Sequence, residues 1–409
     1  MQRFSLRENI LFSYKTCFHL LKKTFLANQH TQARFSPRRF SVMLIFSAML
    51  LVLQTLQWLA YVADELFFPG YKSVNIRKPL FIMGVPRSGT TFLHRFLAAD
   101  TDRFTTFTLW ELIIAPTITQ RKIIHGLSEL DRLAGGPMKK MLQSLEWLAF
   151  GQLDAIHKIS LSDPEEDYFA LAPIYACFLM ILPFPFPEDL GYLAFFDDAA
   201  PEKDKARIMA FYKTCLQRHL YVHGTDKILL SKNVSFGPMV QALARTFPDC
   251  RIVGTVRNPL FAVPSHISSM MEGAAIFDND VQGNTFRDQM IDVQRYAYTH
   301  LPEVLPQLPV ARHMIVRMED IQTDLRKVVS TLYERFGYGI SPAFDWYLRL
   351  ESRKQKAYKS AHHYDLSSYG LSEEQIYRRF SDVFHRFGYV PPVEAGDQQA
   401  IKDVSEMGR

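Results

Sequence analysis

Beyond Gly70 the chain alternates short apolar runs with longer segments of helical periodicity. The short runs resemble buried strands, because they are continuously apolar and end at turn or charged residues. They are Leu80–Val85, Lys227–Leu230, Arg251–Val256 and His313–Arg317. Helical spacing of apolar residues marks the longer segments 120–150, 164–182, 201–222, 285–300 and 321–336. Strands that alternate with helices predict an α/β fold, in which helices cover both faces of a parallel sheet.

The N-terminal part of the chain departs from this pattern. Residues 1–40 are basic, and residues 41–63 form a hydrophobic helix close to the ~20 residues that a spanning helix needs. A cleavable signal peptide is excluded, because the basic segment is too long and no small-residue cleavage site follows. Gln54, Gln57 and Asp64 share one helical side, which also suits a helix lying on a membrane or docked on its own domain. We predict a membrane anchor, with the docked helix as the alternative; if the helix spans, its basic flank places the N-terminus in the cytosol.

Composition narrows the class of protein. The 409 residues are 22% charged and 48% hydrophobic with only 4 cysteines, which excludes a disordered chain and a disulfide-stapled scaffold. The cysteines are far apart and show no metal-binding spacing. The formal net charge of +5 permits an anionic ligand, and we expect no nucleic acid partner. The 32 phenylalanines indicate thick apolar packing or membrane contact.

The strongest chemical signal is the segment PLFIMGVPRSGTTFLHRFL, which starts at residue 79. An apolar strand, a tight loop and a helix follow one another here, and the backbone N–H groups of such a loop and helix N-terminus converge on an anion. The residues predicted to bind it are Arg87, Ser88, Gly89, Thr90 and Thr91. Gly84 and Gly89 are spaced as in the GxxxxGK[ST] phosphate loop, but Thr90 replaces its lysine and Arg87 supplies the cation.

The sequence PRSGTT after an apolar strand resembles the 5′-phosphosulfate loop of sulfotransferases, enzymes that use 3′-phosphoadenosine 5′-phosphosulfate (PAPS). A second segment, RIVGTVRNPLFAVPSHISS at 251–269, resembles the family element in which Arg257 and Ser265 would hold the 3′-phosphate. An arginine fork and a hydroxyl suit that task. The resemblance covers about residues 65–390 and is greatest to the membrane-associated and bacterial branch, which also resembles tyrosylprotein and carbohydrate sulfotransferases.

The resemblance implies a sulfotransferase domain over residues 70–392 and a polar tail over 393–409. It also implies that PAPS, as co-substrate, passes its sulfuryl group to a hydroxyl acceptor by in-line displacement, with no metal ion. The acceptor stays open between a carbohydrate, a protein tyrosine, and a small molecule or lipid. Because the GxxGxxK element of cytosolic sulfotransferases is absent, the residues that cover the nucleotide are open too. Lys354, Lys356 and Lys359 are candidates, although a solvated charged face explains them better.

Sulfuryl transfer needs a base for the acceptor hydroxyl and a cation for the charge that builds on the bridging oxygen. We predict Glu111 as the base, because the tyrosylprotein branch has its catalytic glutamate near this position and apolar neighbours would raise its pKa. His157 is the rival base. Lys232 resembles the family lysine that stabilises the leaving oxygen. Glu165 and Glu166 are interpreted as carboxylates that complement a helix dipole.

Two other functions stay open on the sequence alone. One is a P-loop kinase or NTPase-like enzyme, against which the missing loop lysine and the Arg257 and Ser265 element count. The other is a non-catalytic nucleotide-binding relative, against which the intact Glu111 and Lys232 candidates count. The sulfotransferase is the function that the two phosphate elements favour together.

Overall fold

The computed structural model describes residues 4–26, 32–135, 161–281, 284–356 and 366–392. Its strands are β1 (Leu80–Gly84), β2 (Phe104–Thr105), β3 (Ile228–Lys232), β4 (Arg251–Val256) and β5 (His313–Arg317). They form a five-stranded sheet in the order β2–β3–β1–β4–β5, in which every neighbouring pair is parallel. The α/β class is confirmed, and each predicted strand lies within one or two residues of its predicted bounds. With only 2 residues, β2 is too short for an apolar run to reveal.

Helices surround this sheet. The α-helices of the described residues are α1 (Leu6–Leu26), α2 (Pro37–Phe67), α3 (Thr90–Ala98), α4 (Leu109–Ile113), α5 (Ile118–Leu133), α6 (Pro187–Leu190), α7 (Phe196–Ala199), α8 (Glu202–His223), α9 (Val240–Thr246), α10 (Pro259–Ile276), α11 (Asn284–Val304), α12 (Met318–Phe336), α13 (Pro342–Lys356) and α14 (Glu373–Phe387). Asn258 and Ser372 are N-caps, because each side chain accepts a hydrogen bond from the first turn of its helix. These caps set where α10 and α14 begin.

Side chains of β1 alternate between two cores. Phe81 and Met83 belong to a core shared with α1, α2 and α8, whereas Leu80 and Ile82 belong to one shared with α3 and α12. All five residues of this strand are buried. Because helices cover both faces of the sheet, both sides of each central strand are apolar, which explains the continuous apolar runs in the sequence.

The helix predicted over 164–182 is wrong. The segment instead contains two 3₁₀ turns, Asp167–Ile174 and Phe178–Ile181. Pro173 lies inside the first turn, where it provides no amide hydrogen for an α-helical bond, and Tyr175 ends that turn with a left-handed φ of 58°. Its apolar residues recur because they are buried on several sides in the core.

Some predictions fall on residues that the structure does not describe. The helix predicted over 120–150 is present as α5, which ends at Leu133, whereas residues 136–160 lie outside the described part of the chain. His157, Lys359 and the tail 393–409 also lie outside it.

The two N-terminal helices complete the larger core rather than standing apart from it. Cys17 and Leu20 of α1, and Met43, Trp58 and Tyr61 of α2, are buried there. The inner side of α2 is therefore docked on the domain, as the alternative prediction describes. By length and composition α2 is the helix among the described residues that could cross a membrane, although a core helix passes the same test.

A buried ion pair joins three of these helices. The Arg218 Nε of α8 donates to Asp64 Oδ2 of α2 at 2.9 Å, and both side chains are at most 2% exposed. The backbone amides of Ile118 and Thr119 also donate to Asp64, at 3.0 and 2.8 Å, so that this carboxylate caps α5 as well. The single carboxylate of Asp64 thus holds α2, α5 and α8 together.

We expect Asp64→Ala to lower the free energy of unfolding by about 3–5 kcal/mol, because it leaves the first amides of α5 without their acceptor and leaves the buried Arg218 charge with only the more exposed Glu65 as a carboxylate partner. Chemical denaturation of the protein in mild detergent measures this loss. Glu374→Ala is the control, since Glu374 pairs with Arg378 at the surface and its side chain is 68% exposed. Equal, small losses in both variants would contradict the role of Asp64.

Candidate active site

The loop between β1 and α3 has the shape that its glycines predict. A Cβ at Gly84 would lie 2.2 Å from Thr255 Oγ1 of the neighbouring β4, so a larger residue cannot fit. Gly89 has a φ of 85°, and a Cβ there would lie 2.1 Å from Met318 Sδ. Helix α3 begins directly afterwards at Thr90, and the N–H groups of its first turn have no acceptor within the helix. The loop therefore presents a helix N-terminus at the carboxyl edge of the sheet.

Ser88 differs from its prediction, because its hydroxyl does not point toward the helix N-terminus. The side chain is fully buried and lies 2.5 Å from the Val85 carbonyl oxygen and 2.6 Å from Thr255 Oγ1. Its amide donates to the same Val85 carbonyl at 3.2 Å. In this structure Ser88 therefore stabilises the loop, and the predicted hydroxyl contact with an anion is not available from it.

The structure brings the two predicted phosphate elements together. Arg87 Nε donates to Ser265 Oγ at 2.9 Å, and Arg257 Nη1 donates to the Arg87 carbonyl oxygen at 3.2 Å. Arg87 itself has a φ of 69°, a left-handed conformation that is strained for a residue with a side chain. Tyr298 donates its hydroxyl to the Arg257 carbonyl oxygen at 2.5 Å and fixes the end of β4. Arg87 and Arg257, which are 170 positions apart in the chain, thus lie side by side, and we call this pair the cationic corner.

A cavity of about 720 Å³ opens at this corner. Its cationic and hydroxyl-bearing end is lined by Arg87, Gly89, Thr90, Thr91 and Arg257. Its other walls are mostly apolar and include Tyr168, Phe178, Leu179, Leu182, Leu193 and Met270. Such a cavity suits a ligand pair in which one partner is anionic and the other is apolar.

Lys232 lies at the end of β3, and it is paired with a carboxylate that also lines the cavity. The lysine is 2% exposed, and its Nζ donates to Glu166 Oε1 at 2.5 Å and lies 3.8 Å from Glu165 Oε1. Glu166 lines the cavity and does not begin an α-helix. The interpretation of Glu166 as a carboxylate that complements a helix dipole is therefore wrong. The sequence does not reveal the pairing of Glu166 with Lys232, because the two residues are 66 positions apart.

Hydrogen bonds of Asp167 connect the Glu166 segment to β3, the strand that carries Lys232. Its carboxylate accepts the Tyr212 hydroxyl at 2.5 Å and the Ser231 hydroxyl at 3.0 Å. Burial raises the pKa of Asp167 to about 7, although these two hydrogen bonds oppose the shift. Because Ser231 immediately precedes Lys232, this network sets the distance between Lys232 and Glu166.

Comparison with known proteins identifies the arrangement. A model of the sulfotransferase family matches residues 79–342, which include both phosphate elements, Lys232 and Glu166. The chain belongs to the sulfotransferase family. This assignment decides against the kinase-like alternative and against a non-catalytic relative, and the protein is a sulfuryl-transferring enzyme.

Relatives and solved structures agree with this assignment. The sulfotransferase is 27% identical over 330 residues to the omega-hydroxy-beta-dihydromenaquinone-9 sulfotransferase Stf3 of Mycobacterium bovis and of Mycobacterium tuberculosis, covering 76% of this chain and 75% of that protein. Its fold matches sulfotransferase STF9 from Mycobacterium avium with a TM-score of 0.70 at 16% identity, over 93% of this chain and 96% of that one. It also matches STF1 from Mycobacterium tuberculosis H37Rv with a TM-score of 0.59 at 19% identity, over 92% and 93%.

Glu111 of the sulfotransferase does not have the environment predicted for a base. It is 1% exposed, does not line the cavity, and forms a capping box with Thr108 at the start of α4. Burial favours a higher pKa, but the hydrogen bond to His223 at 2.5 Å and the charge of Arg121 outweigh it and hold the pKa of Glu111 well below its usual range. The predicted rise in pKa is wrong, because the apolar sequence neighbours are not the spatial ones.

Glu111 contacts a residue that is bridged to the Glu166 segment. Its hydrogen-bond partner Thr108 forms an antiparallel bridge with Pro164, two residues before Glu166.

Glu111, His219 and His223 offer ligand atoms within 4.8 Å of one another, a grouping that could hold a metal ion. However, the Arg121 guanidinium lies 3.3 Å from His219 Nδ1 and 3.6 Å from Glu111, and this fixed positive charge disfavours a cation there.

We expect Glu111→Gln to destabilise the protein at pH 7 by about 3–5 kcal/mol, because it leaves the buried Arg121 charge uncompensated. The folded-state pKa of Glu111 is depressed, so its stabilising effect is complete above its ordinary pKa of 4.5 and is lost as the pH falls below that value. Urea unfolding of both proteins from pH 7 down to pH 4 should therefore show a gap that narrows only at the acidic end. A gap that is independent of pH would contradict the ion pair.

Proposed function

We propose that this sulfotransferase binds PAPS at the cationic corner of the cavity and transfers its sulfuryl group to the hydroxyl of an apolar, lipid-like acceptor. One observation carries the proposal: a single cavity is bordered by the cationic corner, by an apolar wall and by Glu166, which pairs with the buried Lys232. The reaction needs the donor sulfur and the acceptor oxygen in line and close together. A cavity with one anion-binding end and one apolar end provides for both substrates.

The nucleotide would lie across both phosphate elements. The 5′-phosphosulfate would meet the N-terminus of α3 together with Arg87, Thr90 and Thr91, whose side chains or backbone reach the cavity. Arg257 and Ser265 would take the 3′-phosphate. The Arg87–Ser265 hydrogen bond supports this arrangement, because it holds the two sites at a fixed separation before the nucleotide binds.

Glu166 is the general base in this proposal, and Glu111 is not. Glu166 borders the cavity and can accept the proton of the acceptor hydroxyl. The acceptor oxygen then bonds to sulfur as the bond from sulfur to the phosphate oxygen breaks, and adenosine 3′,5′-bisphosphate leaves. Protonation of Glu166 weakens its pairing with Lys232, so the ammonium can turn its charge to the departing oxygen. Proton removal and leaving-group stabilisation are thereby coupled.

His266 is a second titratable group on the cavity wall, but it is a weaker candidate for the base. It is 6% exposed and lines the cavity. Burial and the charge of Arg87 lower the pKa of His266 to about 4, so its neutral ring binds a proton poorly at neutral pH. Its position beside Arg87 also assigns it to the nucleotide end rather than to the acceptor.

The acceptor class follows from the apolar walls and from a relative. The apolar part of the cavity lining includes Phe178, Leu179, Leu182 and Leu193, with few polar groups to recognise a sugar. The curated mycobacterial relative bears the name of an enzyme that acts on an omega-hydroxy menaquinone derivative, an alcohol on a lipid chain. We therefore place an apolar alcohol, supplied from a membrane, above a carbohydrate or a tyrosine.

We expect Glu166→Gln to preserve PAPS binding and to lower kcat by roughly 10²–10⁴, because the amide keeps the shape but cannot accept the proton. Transfer of radiolabelled sulfate from PAPS to a long-chain terminal alcohol measures kcat, and calorimetry measures PAPS affinity. Glu165→Gln is the matched control, since its carboxylate lies 3.8 Å from Lys232 and is not part of the cavity wall.

The control should keep most of the activity. Full activity of Glu166→Gln, combined with a large loss of kcat in folded Glu111→Gln, would show that Glu111 and not Glu166 is the general base. Sulfation of a sugar or a tyrosine peptide in place of the apolar alcohol would contradict the acceptor class.

Arg87→Ala and Arg257→Ala should separate the two phosphate contacts, each worth about 1.5–3 kcal/mol of binding free energy. Adenosine 5′-phosphosulfate lacks the 3′-phosphate, so its binding should weaken in Arg87→Ala and hardly change in Arg257→Ala, whereas PAPS should bind more weakly to both. Thermal shift with each nucleotide reports the losses, and Mg-ATP serves as the ligand that should not stabilise the protein. Equal losses for both nucleotides in both variants would overturn the assignment.

A further inference from the structure

Helix α2 is tied to the domain by charged side chains at both ends. Near its start, Arg39 donates to the Phe277 carbonyl oxygen at 2.8 Å and to the Pro183 carbonyl oxygen at 3.1 Å. Near its end, Asp64 pairs with Arg218 inside the core. Between these two residues the helix runs roughly 38 Å along the domain surface, at 1.5 Å per residue. A spanning helix would have to leave the domain at one end, and this one is held at both.

The outer side of α2 is a stripe of exposed apolar side chains. Its members are between 54% and 71% exposed: Leu44, Ile45, Met49, Val52, Leu56, Leu59, Leu66 and Phe67. No charged residue occurs from position 40 to position 63, so nothing interrupts the stripe over most of the helix. A contiguous apolar stripe of this length is unusual on the surface of a soluble protein and marks an interaction surface.

Helix α1 borders this stripe and adds positive charge to it. Tyr14 of α1 lies between the two helices, with its hydroxyl 2.8 Å from Thr55 Oγ1 of α2 and its ring stacked on Phe18. The exposed side of α1 alternates cations with apolar residues at helical spacing, in the order Arg7, Leu11, Lys15, Phe18, Lys22 and Leu26. Glu8, the acidic residue of α1, accepts hydrogen bonds from the backbone amide and the hydroxyl of Ser5 at the first turn. Cations that alternate with apolar residues suit the headgroup level of an anionic leaflet.

We propose that the outer stripes of α1 and α2 form one docking surface that lies in the plane of an anionic lipid leaflet, so that α2 is embedded sideways and does not span. The apolar stripe would enter the acyl boundary, and the α1 cations would meet lipid phosphates. A second copy of the chain is the poorer occupant, because a symmetric contact would bring the same α1 cations to the interface twice. The inner ties at Arg39 and Asp64 would fix the depth of the domain on the membrane.

The inner side of α2 packs close to residues that line the apolar part of the cavity. The Phe46 ring of α2 packs edge-on against Phe277 at 5.1 Å and against Phe184 at 6.2 Å. Leu182, two residues before Phe184, lines the cavity, and its carbonyl oxygen accepts Asn279 Nδ2 at 2.7 Å. Docking in the leaflet would therefore bring the apolar lining near Leu182 close to the membrane that supplies a lipid-like alcohol. The choice of this acceptor rests on the proposed function, whereas the docking itself does not.

Vesicle flotation of the full chain tests the surface without any nucleotide or acceptor. The chain should float with vesicles of phosphatidylcholine and phosphatidylglycerol, more weakly with phosphatidylcholine alone, and less in high salt. The triple variant Ile45→Glu, Met49→Glu, Val52→Glu should lose flotation on both, and it should fold because all three side chains are over 60% exposed. The double variant Val310→Glu, Val390→Glu is the control, since these equally exposed residues lie outside the surface and should leave flotation unchanged.

Substitution of the α1 lysines tests whether positive charge contributes to binding of anionic lipid. Lys15→Gln and Lys22→Gln should each weaken binding to the anionic vesicles by about fivefold and leave the weak binding to phosphatidylcholine alone unchanged. A full chain that stays soluble and monomeric without detergent and does not float would overturn the proposal. A dimer that the triple variant converts to monomers, without flotation of the wild type, would also overturn it in favour of a second copy.

Cysteine labelling separates the in-plane helix from a spanning one. The four native cysteines are buried, so single cysteines introduced as Ser5→Cys and Arg378→Cys give clean signals. An impermeant maleimide added outside sealed vesicles should label both positions, because α1 and the domain lie on the same side of the leaflet. Protection of Ser5→Cys alone would show that α2 spans and would overturn the in-plane arrangement, whatever the outcome of the activity assays.

Discussion

The site depends on the parallel pairing of β3, β1 and β4. Parallel strands end at the same edge of a sheet, and neighbours are about 4.8 Å apart. The order β3–β1–β4 therefore brings Lys232, the loop after Gly84 and Arg257 side by side, although they come from three distant parts of the chain. Gly84 permits the close approach of β1 to β4, so the phosphate loop starts at the correct height. No antiparallel arrangement of these strands would bring the three groups together.

Buried charges around this edge are stable only because each has a partner. Lys232 is almost completely buried, and Glu166 offsets the cost of removing its ammonium from water. Asp167 and the bridge between Thr108 and Pro164 hold the Glu166 segment in place. Glu111 supports that bridge through its hydrogen bonds to Thr108. The result is a pair of opposite charges that is held in place before any substrate binds.

The two N-terminal helices have an inner and an outer side with different roles in the structure. Their inner faces complete the core through Trp58 and Tyr61, and the Asp64–Arg218 pair joins α2 to α8. Their outer faces are apolar or basic. Helix α2 is therefore apolar on both sides, unlike an ordinary amphipathic surface helix. This pattern is the basis of the membrane docking proposed above.

The sequence by itself determined the α/β class, the four longer strands and the phosphate loop, because these depend on local patterns of apolar residues, glycine and proline. The family resemblance pointed to Arg257 and Ser265, but their contacts with Arg87 are tertiary. Only the tertiary structure decided which carboxylate borders the cavity. Glu111 has apolar neighbours in sequence but His223 and Arg121 in space, and Glu166 meets Lys232 only after the segment and the strand pack together. The pKa of a buried group depends on spatial neighbours, which chain order does not reveal.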